Sequence, residues 1–331
     1  MARRAFVLGG SGQTGRALVP KLLERGWDVT VASRGRRAVQ EGVRNVRVDR
    51  ADDAALRAAL GAGADVLVDF VAFERAHAEQ LLALRDLVGS VVVLSSAAVY
   101  FPKGEWDRPL PVPILERDPT VEPGEDGYAP QKAAIEQTLL GQEALPATLI
   151  RAGAIHGPSS AWAREWHFVK RALDGRRFIV LAYRGESRFH PISVHNLAEL
   201  IWLAAERPGR RVLNAGDPGP PTVLEISRAV VGELDHEWAE ILIGDPVGEV
   251  GETFWSAPYP VVLDMSEALF ELGYHPVTTY ERAIPETVRW LVEATKATQW
   301  EELMPRAAEY MQNSFDYEAE DEFVRDLLKA G

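Results

Sequence analysis

Tyr128 and Lys132 stand four residues apart, a spacing that puts both side chains on one face of a helix. A phenol beside an ammonium group can move a proton at neutral pH. Free tyrosine, with a pKa near ~10, is a poor base. A cation at ~4 Å and an effective dielectric near ~20 favours the phenolate by roughly 4 kcal/mol, about three pKa units before desolvation takes some back. Upstream, Ser95 and Ser96 close the apolar run Val91 to Leu94, which places hydroxyls at the C-terminal end of a strand. Ser96 suits a hydrogen bond to a carbonyl or alcohol oxygen, while its neighbour Ser95 is free to point inward. Tyr-x-x-x-Lys pairs arise often by chance. Alone, Tyr128 also reads as an aromatic packed under a loop and Lys132 as a solvated helix lysine.

The pair gains meaning from residues 5–15. Ala5 to Leu8 form a short apolar run suited to a buried parallel strand, and Gly12 to Arg25 carry Leu18, Val19, Leu22 and Leu23 on one helical stripe. Between them, Gly9 permits a tight turn, Gly12 lets the backbone approach a pyrophosphate, and Gly15 allows close packing of helix on strand. Ser11, Gln13 and Thr14 fall among these glycines, where the helix N-terminus supplies amide donors and positive dipole. A dinucleotide cradle, hydroxyls ending the fifth strand and a tyrosine–lysine pair on the next helix are the parts that hydride transfer to a carbonyl requires.

The elements that position these parts alternate regularly. Asp28 to Ser33 reads as the second strand, and its end is where dinucleotide folds select their cofactor. An acid there suits NAD, whereas Arg34, with Arg36 and Arg37 nearby, suits the 2′-phosphate of NADP; three solvated arginines on a loop are the plain alternative. A third strand, Arg44 to Val48, ends at Asp49, placed either to bond an adenine edge or to cap the helix Ala54 to Leu60. The fourth, Asp65 to Val71, brings Val71 and Ala72 to the cofactor side and leads into a helix spanning roughly 75–88. Residues 101–127 hold six prolines and no period, which predicts a long substrate-side loop. The helix bearing Tyr128 follows, then a sixth strand, Ala147 to Ile150, and the glycine turn after Arg151. This order predicts an α/β fold with a doubly wound parallel Rossmann sheet over 1–157.

Beyond Gly157 the pattern changes. A helix near Arg164 to Leu173 and short strands at Phe178 to Val180 and Ser187 to Phe189 open a smaller, interleaved C-terminal substrate lobe, assigned to 158–189 and 217–331. Between its parts, about 190–216 returns to the first domain through a helix, His195 to Glu206, and a strand, Val212 to Ala215. Helices at Val223 to Leu234, Ser266 to Leu272 and Tyr280 to Ala294 complete the lobe, and the tail from Gln299 carries two amphipathic stretches.

Composition narrows the class. The 331 residues are 47% hydrophobic, enough for a large core. No apolar run reaches a membrane span and the start lacks a signal peptide's pattern, so a cytoplasmic protein without membrane contact is expected. The absence of cysteine excludes disulfides and thiolate metal sites. A net charge of −13 disfavours a general nucleic-acid binder, leaving a small molecule as the expected partner. The seven histidines show no paired ligand spacing, so no metal is expected.

With these residues in view, the chain resembles the extended short-chain dehydrogenase/reductase superfamily, in its nucleotide-sugar epimerase/dehydratase-like group. The likeness runs to about residue 295. It is carried by Gly9-x-x-Gly12-x-x-Gly15, by Asp49 and Asp52, by Ser95-Ser96-Ala-Ala-Val-Tyr, by Tyr128-x-x-x-Lys132, by Arg151 through Gly157-Pro158, and by Val194-His195-Asn196-Leu197-Ala198. It is similar, more loosely, to relatives of the chloroplast stem-loop binding proteins. The resemblance implies catalytic places for Ser96, Tyr128 and Lys132, with Lys132 also on the nicotinamide ribose and Ser95 and Tyr128 beside the cofactor. It places Ala152, Ala154 and Ile155 on the nicotinamide side, and implies a nucleotide sugar as one candidate substrate and a homodimer through helices 75–88 and 128–142. Departures matter too. Ala97 and Ala98 stand where dehydratases carry an acid, Ala152 where proline is usual and His156 where tyrosine is common, and the helix 75–88 lacks the usual asparagine. The expectation is an NADP-dependent oxidoreductase, with NAD as the other cofactor. An epimerase that retains its cofactor and a non-catalytic cofactor-sensing or RNA-associated protein are the alternatives.

Overall fold

The computed structural model describes residues 2–38, 40–102, 108–311 and 313–330. Seven parallel strands form its central sheet: β1 (Arg4–Leu8), β2 (Asp28–Ser33), β3 (Arg44–Arg47), β4 (Val66–Asp69), β5 (Val91–Ser96), β6 (Ala147–Ala152) and, after an excursion, β10 (Arg211–Ala215). Their order is β10-β6-β5-β4-β1-β2-β3. The order reverses beside β1, so the crevice at the C-terminal strand ends opens over the glycine turn, where such sheets bind ligands.

Side chains alternate along each strand, and the two faces bury separate cores. Ala5 and Val7 of β1 face α1 (Gln13–Glu24) through Leu18, Val19 and Leu22, together with α6 (Val194–Glu206) and α8 (Ser266–Leu272). Phe6 and Leu8 face α2 (Asp53–Leu60), α3 (Arg75–Ala83) and α4 (Tyr128–Leu140). The expected helix over 75–88 ends at Ala83, because Leu84, Arg85 and Leu87 donate to carbonyls three residues back and the chain tightens into turns.

The lobe packs α5 (Trp166–Leu173), α7 (Val223–Gly232) and α9 (Tyr280–Ala297) around Phe168, Ile226, Trp255, Tyr280 and Leu291. Two small parallel sheets hold it to the first domain and to itself. β7 (Ala154–His156) pairs with β9 (Pro191–Ser193), and β8 (Phe178–Leu181) with β11 (Ala239–Leu242). The strand expected at Ser187 to Phe189 is a single bridge of Phe189 with Val261, whose carbonyl accepts from the His190 amide and whose amide donates to the Arg188 carbonyl. The tail folds into α10 (Trp300–Leu303), α11 (Pro305–Tyr310) and α12 (Glu318–Ala330), with Met304 and Ala307 fully buried in the lobe core. Among the described residues no helix is long and apolar enough to cross a membrane.

The loop after β5 is not a free cover. A 3-10 turn (Ala97–Tyr100) follows the strand, and Leu110, Ile114 and Val121 pack with Val99, Tyr100, Val261 and Leu263. Ile114 is buried and bridges Leu263. Residues 103–107 of the expected loop lie outside the described residues.

Candidate active site

The glycine turn has the shape a dinucleotide needs. Gly9 adopts φ +84°, and Gly12 donates its amide to the Gly9 carbonyl at 2.9 Å. A Cβ on Gly15 would come within 2.3 Å of the Gly10 carbonyl oxygen, so only glycine lets α1 lie this close to the turn. Gly12 caps α1 with no side-chain bond, which leaves the first amides of the helix available to an anion. Ser11 and Gln13 are partly exposed, Thr14 is buried, and Gln13 donates to the Gly157 carbonyl at 3.1 Å, tying the cradle to the turn after β7. Val71 closes the other side of Gly9, and Asp69, fully buried and paired with Arg50 at 2.9 Å, accepts from the Val71 amide at 2.8 Å. These residues fit a bound NAD(P).

At the far end of the cradle, Ser33 accepts from the Gly35 amide and shapes a turn from which Arg34, Arg36 and Arg37 are exposed. Asp49 accepts from the Ala51 amide, while Asp52 takes the cap of α2 through Ala55. The capping role expected as one option for Asp49 therefore belongs to Asp52. Ala152 and Ala154 are buried and Ile155 half-buried on the stretch from β6 to β7, where Gly153 donates to Ala215.

Ser96 and Ser95 divide as neighbours on a strand must. Ser96 accepts from the Ala98 amide at 3.2 Å and hydrogen-bonds the Tyr128 hydroxyl. Ser95, expected beside the cofactor, instead turns its hydroxyl inward to the Glu136 carboxylate at 2.5 Å, because the pleat sends it to the opposite face. Tyr128 opens α4, about half of the residue exposed. Lys132, one turn on, is 2% exposed and donates to the Ala72 carbonyl at 2.6 Å and the Leu94 carbonyl at 2.8 Å. Its ammonium has three protons, so one is left for a ligand hydroxyl.

The electrostatics differ from expectation in one respect. Burial raises the Tyr128 phenol, and only the bond to Ser96 and the charge of Arg306 oppose this. Lys132, whose nitrogen lies 5.6 Å from the centre of the tyrosine ring, is turned to its two carbonyls. Burial lowers its own pKa to about 8, against the opposing charges of Asp69 and Glu136. The acidification expected from Lys132 is therefore not what the side-chain placement delivers. The cation acting on the phenol is Arg306, on α11, in a tail the sequence left without a role.

Beneath this layer lies a second polar set. Arg151 makes a paired contact with Glu136 at 2.7 Å and donates to the Tyr100 hydroxyl at 2.8 Å and the Glu116 carbonyl at 2.9 Å. Tyr100 donates to Asn214 at 2.8 Å, and Asn214 in turn donates its side-chain amide to the Ile114 carbonyl and its backbone amide to the Glu116 carboxylate. Glu136 had a signal, standing one turn beyond Lys132. Glu116 and Asn214 had none, being 98 residues apart. Among the described residues no group of three or more His, Asp or Glu is placed to hold a metal ion. On the helices expected to dimerise, Glu79, Ala83, Arg85 and Gln137 face outward, and Leu82, Leu87 and Leu140 are partly exposed.

Comparison with known proteins agrees with this geometry. A model of the NAD dependent epimerase/dehydratase family matches residues 5–216. The curated 2′-dehydrokanamycin reductase of Streptomyces kanamyceticus is 33% identical over 159 residues, which is 46% of this chain and only 43% of that relative's length. The UDP-glucose 4-epimerase of Thermotoga maritima, solved with UDP-glucose, superposes with a TM-score of 0.69 at 18% identity over 88% of this chain and 99% of its own. The dTDP-glucose 4,6-dehydratase of Bacillus anthracis, solved with NAD, gives 0.70 at 19% identity over 91% and 100%. At such identities these structures speak for the fold. The family match takes in well over half of the residues and coincides with the cradle, the Ser96 strand and the Tyr128 helix: the chain belongs to the NAD-dependent epimerase/dehydratase family.

Proposed function

We propose that the chain is an NADP-dependent oxidoreductase that interconverts a carbonyl and an alcohol, with Tyr128 as its acid/base. The observation that carries this is the convergence of Ser96, Tyr128 and Lys132 beside the glycine turn. Bound NADPH supplies the hydride. Ser96, whose oxygen accepts from the Ala98 amide, would turn its proton from the Tyr128 hydroxyl to the substrate oxygen when substrate is bound. Tyr128, held in its neutral form by burial, gives its proton to that oxygen as negative charge develops there. Lys132 holds the Ala72 and Leu94 carbonyls in register and offers its third proton to a ribose hydroxyl.

Arg34, Arg36 and Arg37, exposed after β2, support NADP over NAD. Ala97 and Ala98 supply no acid for water loss, which supports reduction over dehydration, as does the name of the Streptomyces relative. A cytoplasmic setting and a homodimer through α3 and α4 belong to the same proposal.

Tyr128→Phe tests the reading. NADPH-linked turnover of a carbonyl substrate is expected to fall by about 10²–10⁴-fold while NADPH affinity stays within about twofold. Unchanged turnover removes Tyr128 from the mechanism. Cofactor that co-purifies and is never net-consumed would favour the epimerase reading. Retained NADP binding without turnover of any carbonyl or sugar nucleotide would favour a cofactor sensor.

A further inference from the structure

The tail encloses a cavity that the reactive side does not use. About 300 Å³ of space lies between α5, the segment 249–254 and residues 309–320. That is the small end of the range for small-molecule pockets, about 300–1,000 Å³. Glu249, Glu252, Glu309 and Asp316 ring its mouth, all of them exposed. Among the described residues none of these acids has an ion-pair partner. Glu249 accepts from the Asn313 side chain at 3.4 Å and Asp316 from the Glu318 amide at 3.2 Å. Deeper in, the charges are already matched, since Arg171 stands 3.6 Å from Glu320, which Arg176 also holds at 2.9 Å. The lining therefore keeps the negative excess of its rim, and a concave wall of one sign focuses its field on the space inside.

An acidic rim alone is ordinarily a solvated surface. Here the floor adds an independent signal. His167 is 2% exposed and lines the cavity, with Nδ1 3.5 Å from a terminal nitrogen of Arg171. Burial and the neighbouring guanidinium keep the imidazole neutral. Because arginine only donates, Nδ1 accepts and the ring proton sits on Nε2. Among the described residues that N–H has no acceptor, so it is left to the cavity.

Aromatic rings form the sides. Tyr310, 68% exposed, sets its ring 4.6 Å from that of Trp162, and Phe254 stands edge-on to Trp162 at 6.2 Å. Rings beside carboxylates accommodate an ammonium group and its adjoining carbons, while the His167 N–H requires an oxygen acceptor. A protonated amine on a hydroxylated ring meets all three demands.

Helix α11 joins this cavity to the reactive side. Glu309 and Tyr310 come three and four residues after Arg306, so the three share one face of the helix. Arg306 is the cation whose charge bears on Tyr128. A ligand beside Glu309 is thus about one helical turn, ~5.4 Å along the axis, from that cation.

We propose that this cavity binds a protonated amine, and that the substrate is an amino-bearing sugar or polyol whose ammonium group sits among the four rim carboxylates while one of its oxygens accepts from His167. As a statement about substrate it rests on the assignment of Tyr128 to the reactive side.

The test titrates the full-length protein, saturated with NADP⁺, with glucosamine, glucose and glucuronate, reading heat. Wild type is compared with Glu252→Gln/Glu309→Gln and with Glu79→Gln/Glu233→Gln, which removes the same charge away from the cavity. Saturable binding of glucosamine is expected, at least about tenfold tighter than that of glucose, with none of glucuronate. The cavity variant should weaken glucosamine by about tenfold or more and the distant variant by less than about twofold, with NADP⁺ affinity alike in all three. Glucosamine should also compete with the carbonyl substrate in NADPH-linked turnover. Absence of glucosamine binding, equal affinity for glucose, preference for glucuronate, or the same loss in both variants overturns the amine site. Binding that leaves turnover uninhibited overturns its assignment to the substrate. Tyr128→Phe should bind glucosamine as the wild type does, so failure of the acid/base reading leaves the amine site standing, and failure of the amine site leaves Tyr128 in place.

Discussion

Strand β5 and helix α4 each carry two polar side chains, and the two pairs have opposite fates. Ser96 and Lys132 face the crevice, the one beside the Tyr128 hydroxyl and the other with an ammonium proton left over, while Ser95 and Glu136 face inward, where the Glu136 carboxylate accepts from both Ser95 and Arg151. One residue along a strand and one turn along a helix separate a reactive layer from a structural one. Function here requires bonds left unmade, and stability requires that the adjacent ones be complete.

Variants can break this division. The largest effect on folding is expected from Glu136→Gln, which leaves the Arg151 charge buried without its partner and should cost about 3–5 kcal/mol in chemical denaturation. If stability were unchanged, the inner layer would not be the structural one. Ser96→Ala should do the reverse, lowering turnover by about 10²–10³-fold while leaving the denaturation midpoint where it was. Equal losses of stability and turnover in both variants would erase the distinction.

Lys132 sharpens it further. Its pKa, lowered to about 8 by burial, lies below that of the same amine in an unfolded chain, near ~10.4. Between these values the unfolded state holds a proton that the folded state has lost, so this group makes stability rise with pH across that window, by at most roughly 1.4 kcal/mol per pH unit. Lys132→Met should abolish that rise, which denaturation midpoints between pH 7.5 and 10 would reveal. The smallest effect belongs to Arg306→Gln. Removing a cation that favours the phenolate should move the alkaline limb of the reductive rate to slightly higher pH. A limb that stays in place would show that the tail does not act on Tyr128.

Much of this arrangement was legible because it is local. β2 and α8 have the limits that periodicity predicts, α4 begins at Tyr128, and the glycine turn needs only the residues between Leu8 and Arg16 to be recognised. The choice between Ser95 and Ser96 stayed open because it depends on which face of the sheet α4 covers. What could not be read depends on distant partners. Pro191 argues against a strand, yet Pro191–Ser193 pairs with β7 because the chain returns beside it. β11 is a short, half-exposed strand defined by β8, some sixty residues earlier in the sequence. The segment 110–121 has no period, yet Ile114 within it is buried core, held by the Asn214 side chain and the Val262 carbonyl, both at least a hundred positions further along. The charge of Arg306 bears on Tyr128 from the tail for the same reason.

Strand β10 is one of the two edges of the central sheet and is made last, and Asn214 within it supplies the acceptor for Tyr100 and the anchor for Ile114. A nascent chain leaving the ribosome therefore carries its nucleotide cradle long before it can finish the pocket floor. Any fragment that stops short of residue 211 would display β6 as a bare edge, open to pairing with another molecule. Splitting the protein after its first six strands should accordingly yield aggregates instead of an autonomous binding module.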